Sequence, residues 1–159
     1  MTHRQIIKEY QKAIILKDKV IVDWGSGSKP VQRYITHENC RFITLDNANI
    51  TDDRQGNLHY KVNISKPLTY DFNADVAFCM EVLEHVEYPE IVLKNIYDNL
   101  KQGGTLYLSA PFKYEVHSDI DYWRYTDAGL KLLLERNGFK VDYILTTTDD
   151  LGWIVKARK

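Results

Sequence analysis

A chain of 159 residues with 44% hydrophobic and 27% charged residues has the length of one domain and the composition of a globular protein, which excludes disordered and fibrous classes. With 21 basic residues against 22 acidic ones the formal net charge is -1, so no nucleic-acid or anionic-lipid partner is expected. Cys40 and Cys79 have neither a CxxC nor a Cys/His spacing, which points to reduced core thiols and to no metal site or disulfide framework. The N-terminus lacks the apolar run of a signal peptide, and no window approaches the roughly 18 apolar residues of a membrane span. The cytoplasm is the expected compartment, with no membrane contact.

In chain order, residues 2–16 place Ile6, Ile7, Tyr10, Ala13 and Ile14 at helical spacing and predict an amphipathic opening helix. Residues 19–24 are a short apolar run ending in Asp23-Trp24-Gly25-Ser26-Gly27, and Pro30 suits the first position of a second helix. A second strand spans 41–45 and ends at Asp46; after a polar stretch, residues 59–63 read as a brief extended segment. Residues 75–80 have the apolar character of a strand buried on both faces, and 89–100 return to helical spacing with Ile91, Val92, Ile96, Tyr97 and Leu100. The connection between the third and fourth strands is too short for a full helix.

After Gly103-Gly104, residues 105–110 make the next strand and Pro111 ends it. A polar, aromatic loop then runs to Thr126, a good N-cap for a helix closed by Gly138. Residues 139–148 and 153–158 are strands separated by only Asp149-Asp150-Leu151-Gly152, too few for a parallel crossover, so they must form an antiparallel hairpin. The whole chain, 1–159, therefore reads as one doubly wound α/β domain: a mostly parallel sheet with a C-terminal antiparallel hairpin.

The run Val20-Ile21-Val22-Asp23-Trp24-Gly25-Ser26-Gly27-Ser28 gives a tight turn after a strand, where missing side chains let a ligand approach the backbone. Alone it also fits a bare strand-to-helix connection. Asp46 follows about 20 residues on, at the end of the second strand, where a carboxylate can bond the ribose hydroxyls of an adenosine-containing ligand or simply cap the next helix. A dinucleotide fingerprint would place glycine at positions 25, 27 and 30. Position 30 is Pro, which with the C-terminal hairpin makes NAD and an oxidoreductase the second choice.

Four ordered segments, residues 23–30, 42–46, 75–90 and 99–111, resemble the class I S-adenosylmethionine-dependent methyltransferases, in particular their small type 11 members. The stretch from Asp75 through Glu81-Val82-Leu83-Glu84-His85 is similar to the family's fourth strand and Glu-x-Leu-x-His segment. Leu100-Lys101-Gln102-Gly103-Gly104-Thr105-Leu106 is similar to its helix-Gly-Gly-strand signature. The resemblance implies a Rossmann-like sheet of the seven-stranded type and S-adenosylmethionine as cofactor. It implies that Asp23, Gly25 and Gly27 hold the methionine end, Asp46 the ribose and Asn47 and Asn63 the adenine surroundings, with Met80 and Glu81 as the floor. The Asn/Asp-Pro-Pro-aromatic motif of members that methylate base amino groups is absent, and Met80-Glu81-Val82-Leu83 stands in its place. With a near-neutral surface, a small-molecule acceptor methylated at oxygen is expected, and a resemblance to methyltransferases of bacterial glycan pathways implies a sugar-like one as the alternative.

The loop from Phe112 to Thr126 gathers His117, Asp119, Asp121, Tyr122, Trp123, Arg124 and Tyr125 beyond the carboxyl end of a strand, the edge where open α/β sheets bind ligands. His117, whose imidazole can take up a proton, is the candidate base for an acceptor hydroxyl, oriented by Asp121 or Tyr122. Arg124 either holds an anionic acceptor or braces the loop against Asp121 or Asp127. A compact chain without a capping insertion also suits a cofactor-binding module that regulates a partner, and its open substrate side suits completion by a second copy in a homodimer.

Overall fold

The computed structural model describes residues 1–47 and 58–159; the polar stretch predicted after Asp46 falls largely outside them. The chain opens with helix α1 (His3–Lys12), started by a reciprocal cap in which Thr2 Oγ1 accepts the Gln5 N–H at 3.2 Å and Gln5 Oε1 accepts the Thr2 N–H at 2.7 Å. The helix is shorter than its apolar spacing predicts, because the β-branched pair Ile14-Ile15 leads into an extended segment. That segment, β1 (Ile15–Lys17), pairs in parallel with β3 (Thr36–Glu38) in a two-stranded ribbon beside the main sheet.

Among the described residues the main sheet has seven strands: β2 (Val20–Trp24), β4 (Arg41–Asp46), β5 (Leu58–Lys61), β6 (Ala74–Met80), β7 (Leu100–Pro111), β8 (Lys140–Thr146) and β9 (Gly152–Arg158). Their order is β5-β4-β2-β6-β7-β9-β8; the first five are parallel, and β9 runs antiparallel to both of its neighbours. The strand and hairpin expectations are met, as is the α/β class. Helices α2 (Pro89–Asn99) and α3 (Asp127–Arg136) are the other α-helices among the described residues. Thr126 caps α3 by accepting the Gly129 N–H at 3.0 Å, and Gly138 takes the left-handed φ of +91° beyond its end.

Strand alternation divides the apolar side chains between the two faces of the sheet. Ile21, Phe42, Val76 and Phe78 join Ile14, Val31 and Ile35 in one core. Val22, Trp24, Ile43, Leu45, Ala77 and Cys79 enter the other, against Leu93 and Ile96 of α2 and Leu130 and Leu134 of α3. Cys79 is buried and Cys40 half-buried, and both are free thiols.

The helix expected from Pro30 is a single 3-10 turn, Val31–Arg33. Only residues 31–35 separate Pro30 from β3, too few to repay helix nucleation, and the Val31 N–H is taken by Asp23 Oδ2 at 2.7 Å. Between β5 and β6 there is no helix either, as expected. Two buried amides of α2 carry that connection instead. Asn95 donates to the Ile64 and Lys66 carbonyls at 2.9 and 2.8 Å and accepts the Leu68 N–H at 3.0 Å; Asn99 accepts the Phe72 N–H at 3.0 Å. Among the described residues no helix is long and apolar enough to cross a membrane.

Candidate functional site

Strand order reverses at β2, whose neighbours β4 and β6 lie on opposite sides, so the crevice beyond its carboxyl end is the switch point of the sheet. Two backbone N–H groups of the glycine loop, from Gly25 and Ser26, both reach the Leu45 carbonyl, at 2.8 and 3.1 Å, and fold the loop back over the end of β4. Gly25 and Gly27 have φ of +71° and +54°. A Cβ at position 25 would lie 2.6 Å from Val82 Cγ2, so glycine is required there on two counts. Asp46 Oδ2 accepts the Gly27 N–H at 2.9 Å and ties the loop to the strand end.

A cleft of about 510 Å³ opens over this loop, within the range of small-molecule and cofactor sites. Gly25, Asp46, Asn47, Asn63, Glu81 and His117 all line it, so the structure brings together six of the residues singled out in the sequence. Asp23 and Met80 face a small recess of about 50 Å³ that shares Gly25 with the cleft and also includes Gln11 and Lys29. Gly27 lines neither cavity and acts through its bond to Asp46. Tyr122 also lines neither; half of its surface is exposed, and its backbone N–H donates to the Glu84 carbonyl at 2.7 Å.

Glu81 follows the last residue of β6 with φ +56°, a conformation that costs a residue with a Cβ about 1–3 kcal/mol. Its N–H is held by the Ser109 carbonyl and hydroxyl at 3.2 and 3.1 Å, and its Oε2 lies 3.1 Å from His3 Nε2. The Glu81 Oε1 is buried without a hydrogen-bond partner. His3 is fully buried, with Nδ1 2.9 Å from Thr147 Oγ1. Helix α1 thus reaches the cleft twice, through His3 and through Arg4, which lines it.

On the opposite side, the Asp121 side chain is covered from solvent and gripped by Arg124, whose Nη1 and Nη2 both bond the carboxylate; the Nη2 bond is 2.8 Å. Arg124 also donates to the carbonyls of Tyr114, Glu115 and Trp123, so it braces the loop. The Arg124 hydrogen bond holds the Asp121 carboxyl well below the usual carboxylate range. Asp121 Oδ2 accepts the His117 N–H at 3.0 Å and lies 3.1 Å from His117 Nδ1, which fixes the imidazole by both its backbone and its ring.

Sequence reasoning did not assign Arg4, Ser65, Ser118 or His85 to the site, yet all four line the cleft. For His85 a signal existed in Glu81-Val82-Leu83-Glu84-His85, directly after a buried strand. Glu84 lies beneath this wall with no exposed surface, and its carboxyl is pushed up to about 9, chiefly by burial and then by the charge of Glu81.

A family model described as a methyltransferase domain matches residues 2–144. Among curated proteins, the ubiquinone biosynthesis O-methyltransferase of Coxiella burnetii is 29% identical over 112 residues, covering 65% of this chain and 48% of that protein. The chain thus spans about half the length of the curated relatives it matches. Among solved structures, the Burkholderia thailandensis 1,6-didemethyltoxoflavin-N1-methyltransferase, with bound 1,6-didemethyltoxoflavin and S-adenosylhomocysteine, aligns at 18% identity with a TM-score of 0.75. That alignment covers 89% of this chain and 71% of the other. A methyltransferase of Aquifex aeolicus aligns at 16% identity and a TM-score of 0.72, over 98% of this chain and 88% of its own. These structural likenesses establish the fold.

Proposed function

Because the chain belongs to the methyltransferase domain family, whose cofactor is S-adenosylmethionine, we propose that the switch-point cleft binds that cofactor and that the protein methylates an oxygen of a small-molecule acceptor. The observation that carries this reading is the glycine loop tied to Asp46, with Asn47, Asn63 and Glu81 around one cleft and His117 on its far wall. S-adenosylmethionine supplies a methyl group already activated on sulfur, so the protein's task is chiefly alignment.

In this reading Asp46 bonds the ribose hydroxyls, Asn47 and Asn63 border the adenine, Asp23, Gly25 and Gly27 hold the methionine end, and Met80 and Glu81 form the floor. The residues fit such a ligand because the loop keeps glycine where a side chain would strike Val82, and because a buried carboxylate oxygen of Glu81 is left for a donor. An oxygen acceptor is supported by His117. With Asp121 behind Nδ1, the neutral ring keeps its lone pair on Nε2, where it can act on an acceptor hydroxyl. The Coxiella relative is an O-methyltransferase, which favours the same atom.

The test is the thermal unfolding midpoint with S-adenosylmethionine, S-adenosylhomocysteine or NAD, for the native sequence and Asp46→Ala. Saturation at about 100 times Kd is worth about 2.7 kcal/mol of stabilisation. The first two ligands are expected to raise the midpoint, and the variant to lose most of the shift. A response to NAD alone would overturn the reading. Production of S-adenosylhomocysteine across a panel of phenolic and sugar acceptors then identifies the substrate.

A further inference from the structure

Glu84 stands out among the residues beneath the cleft wall. It lies in the short turn Leu83–His85, none of its surface is exposed, and neither carboxylate oxygen has a hydrogen-bond partner. A buried carboxylate without a partner is costly, so this position calls for a proton or a cation.

Two imidazoles lie close to it, their ring centroids 5.0 Å apart. His85 Nδ1 lies 2.6 Å from the Ile120 carbonyl, which can only accept, so Nδ1 carries the hydrogen and Nε2 the lone pair. That Nε2 is 3.6 Å from Glu84 Oε1, two acceptors facing one another. His117 Nδ1 faces Asp121 Oδ2 at 3.1 Å and the Glu115 carbonyl at 3.3 Å, both acceptors, so its lone pair is also on Nε2. One ligating atom from each of Glu84, His85 and His117 lies within 4.8 Å of the other two.

We propose that Glu84, His85 and His117 form a binding site for one divalent transition-metal cation, of the zinc, cobalt or manganese class, on the acceptor side of the cleft. Two imidazoles and one carboxylate suit these ions better than calcium or magnesium, and three protein ligands leave a coordination position open. The outer partners are built as well: Ile120 orients His85, and Asp121, itself held by Arg124, orients His117. Glu84 and His85 follow β6 and His117 follows β7, so neighbouring parallel strands deliver the ligands to one edge of the sheet.

Cation binding stands on this geometry alone; its use rests on the methyl-transfer reading above. There the open position would take the acceptor hydroxyl and lower its pKa, the released proton would pass to solvent, and His117, its Nε2 lone pair given to the metal, would act as a ligand in place of a direct base.

The experiment is a titration of chelator-stripped protein with cobalt chloride, followed by visible d–d absorption and calorimetry, for the native sequence, Glu84→Gln, His117→Gln and His37→Gln. His37 packs on Phe42 away from the cluster and serves as the control. One cobalt ion per chain is expected, with affinity reduced at least about tenfold in the first two variants and unchanged in the third. Glu84→Gln keeps the shape of the side chain, and His117 sits on a loop with a partly exposed ring, so loss in both is not a failure to fold. No saturable cobalt binding, or binding equal in all four proteins, overturns the site. Binding of S-adenosylhomocysteine to the same metal-free samples separates the two readings. If it binds and cobalt does not, the metal site falls and the cofactor reading stands; the converse leaves the metal site and removes the cofactor reading.

Discussion

His3 Nε2 lies 3.1 Å from Glu81 Oε2, so the first turn of α1 holds the residue on which β6 turns into the cleft. The contact joins positions 78 residues apart, and the His3 ring is fully buried between Glu81 and Thr147. Replacing His3 by Ala leaves a part-buried carboxylate oxygen and a buried hydroxyl with one partner fewer, a loss of about 1–3 kcal/mol. His3→Ala is expected to lower the denaturant midpoint by that amount and to weaken S-adenosylhomocysteine binding. Unchanged affinity beside lowered stability would limit the contact to folding.

Gly25→Ala tests the cradle. The new Cβ meets Val82 Cγ2 at 2.6 Å and forces φ +71° on a residue that disfavours it, at a combined cost of about 2 kcal/mol or more. Adding Val82→Ala removes the collision and leaves the backbone strain. The double variant should therefore recover part of the stability lost by Gly25→Ala alone, beyond the cost of Val82→Ala measured separately. No recovery in that cycle would assign the whole loss to the backbone.

Asn95→Leu removes one acceptor and two donors from the β5–β6 connection and leaves three backbone groups, at Ile64, Lys66 and Leu68, to find other partners. Destabilisation of about 2–4 kcal/mol is expected by equilibrium unfolding. Because Asn63, Ile64 and Ser65 line the cleft, cofactor affinity is expected to fall with it. Asn99→Leu, which frees the Phe72 N–H farther from the cleft, should lower stability with less effect on binding.

Asp75 carries the pH dependence that is simplest to isolate. Burial raises its carboxyl, but the Lys101 ammonium at 2.8 Å, the Val20 N–H at 2.8 Å and the charges of Lys101 and Lys19 outweigh burial and leave it below the ordinary value. The folded state therefore binds this proton less tightly than the unfolded chain does. Its contribution is complete above the unfolded value, near pH 4, and is lost as pH falls through the lower folded value. Lys101 is 39% exposed, so screening holds the pair to about 1 kcal/mol at most. The stability gap between the native sequence and Lys101→Met should narrow from pH 6 to pH 2.5; a constant gap would mean that Lys101 acts by packing.

Those parts of the fold that depend on local pattern were legible in the sequence. The apolar run ending at Met80 marks β6 because both of its faces are buried, and a link as short as the five residues between β8 and β9 can only close a hairpin. Asp46 was legible because a strand end and a glycine loop define its place together. Pro30 misled because a good first helical residue says nothing of how soon the next strand begins; here β3 claims the chain after five residues. His3 and Arg4 were unreadable for a different reason. Helical spacing shows which face of α1 is apolar, but not that its first turn docks on a strand end 78 residues away. Likewise, Glu84 and His85 acquire their meaning only when the loop after β7 brings His117 to them.

The His3 ring leaves no room on its other side: a Cβ at Gly152, the first residue of β9, would lie 2.4 Å from His3 Cε1. The opening helix, the turn of the last hairpin and the strand end at Glu81 therefore meet around one imidazole, and none of them can open without disturbing the others. A ligand that steadies Glu81 restrains all three. Amide hydrogen exchange in α1 and in the β8–β9 turn should then slow when the cleft is filled, so these remote segments would act as reporters of ligand binding.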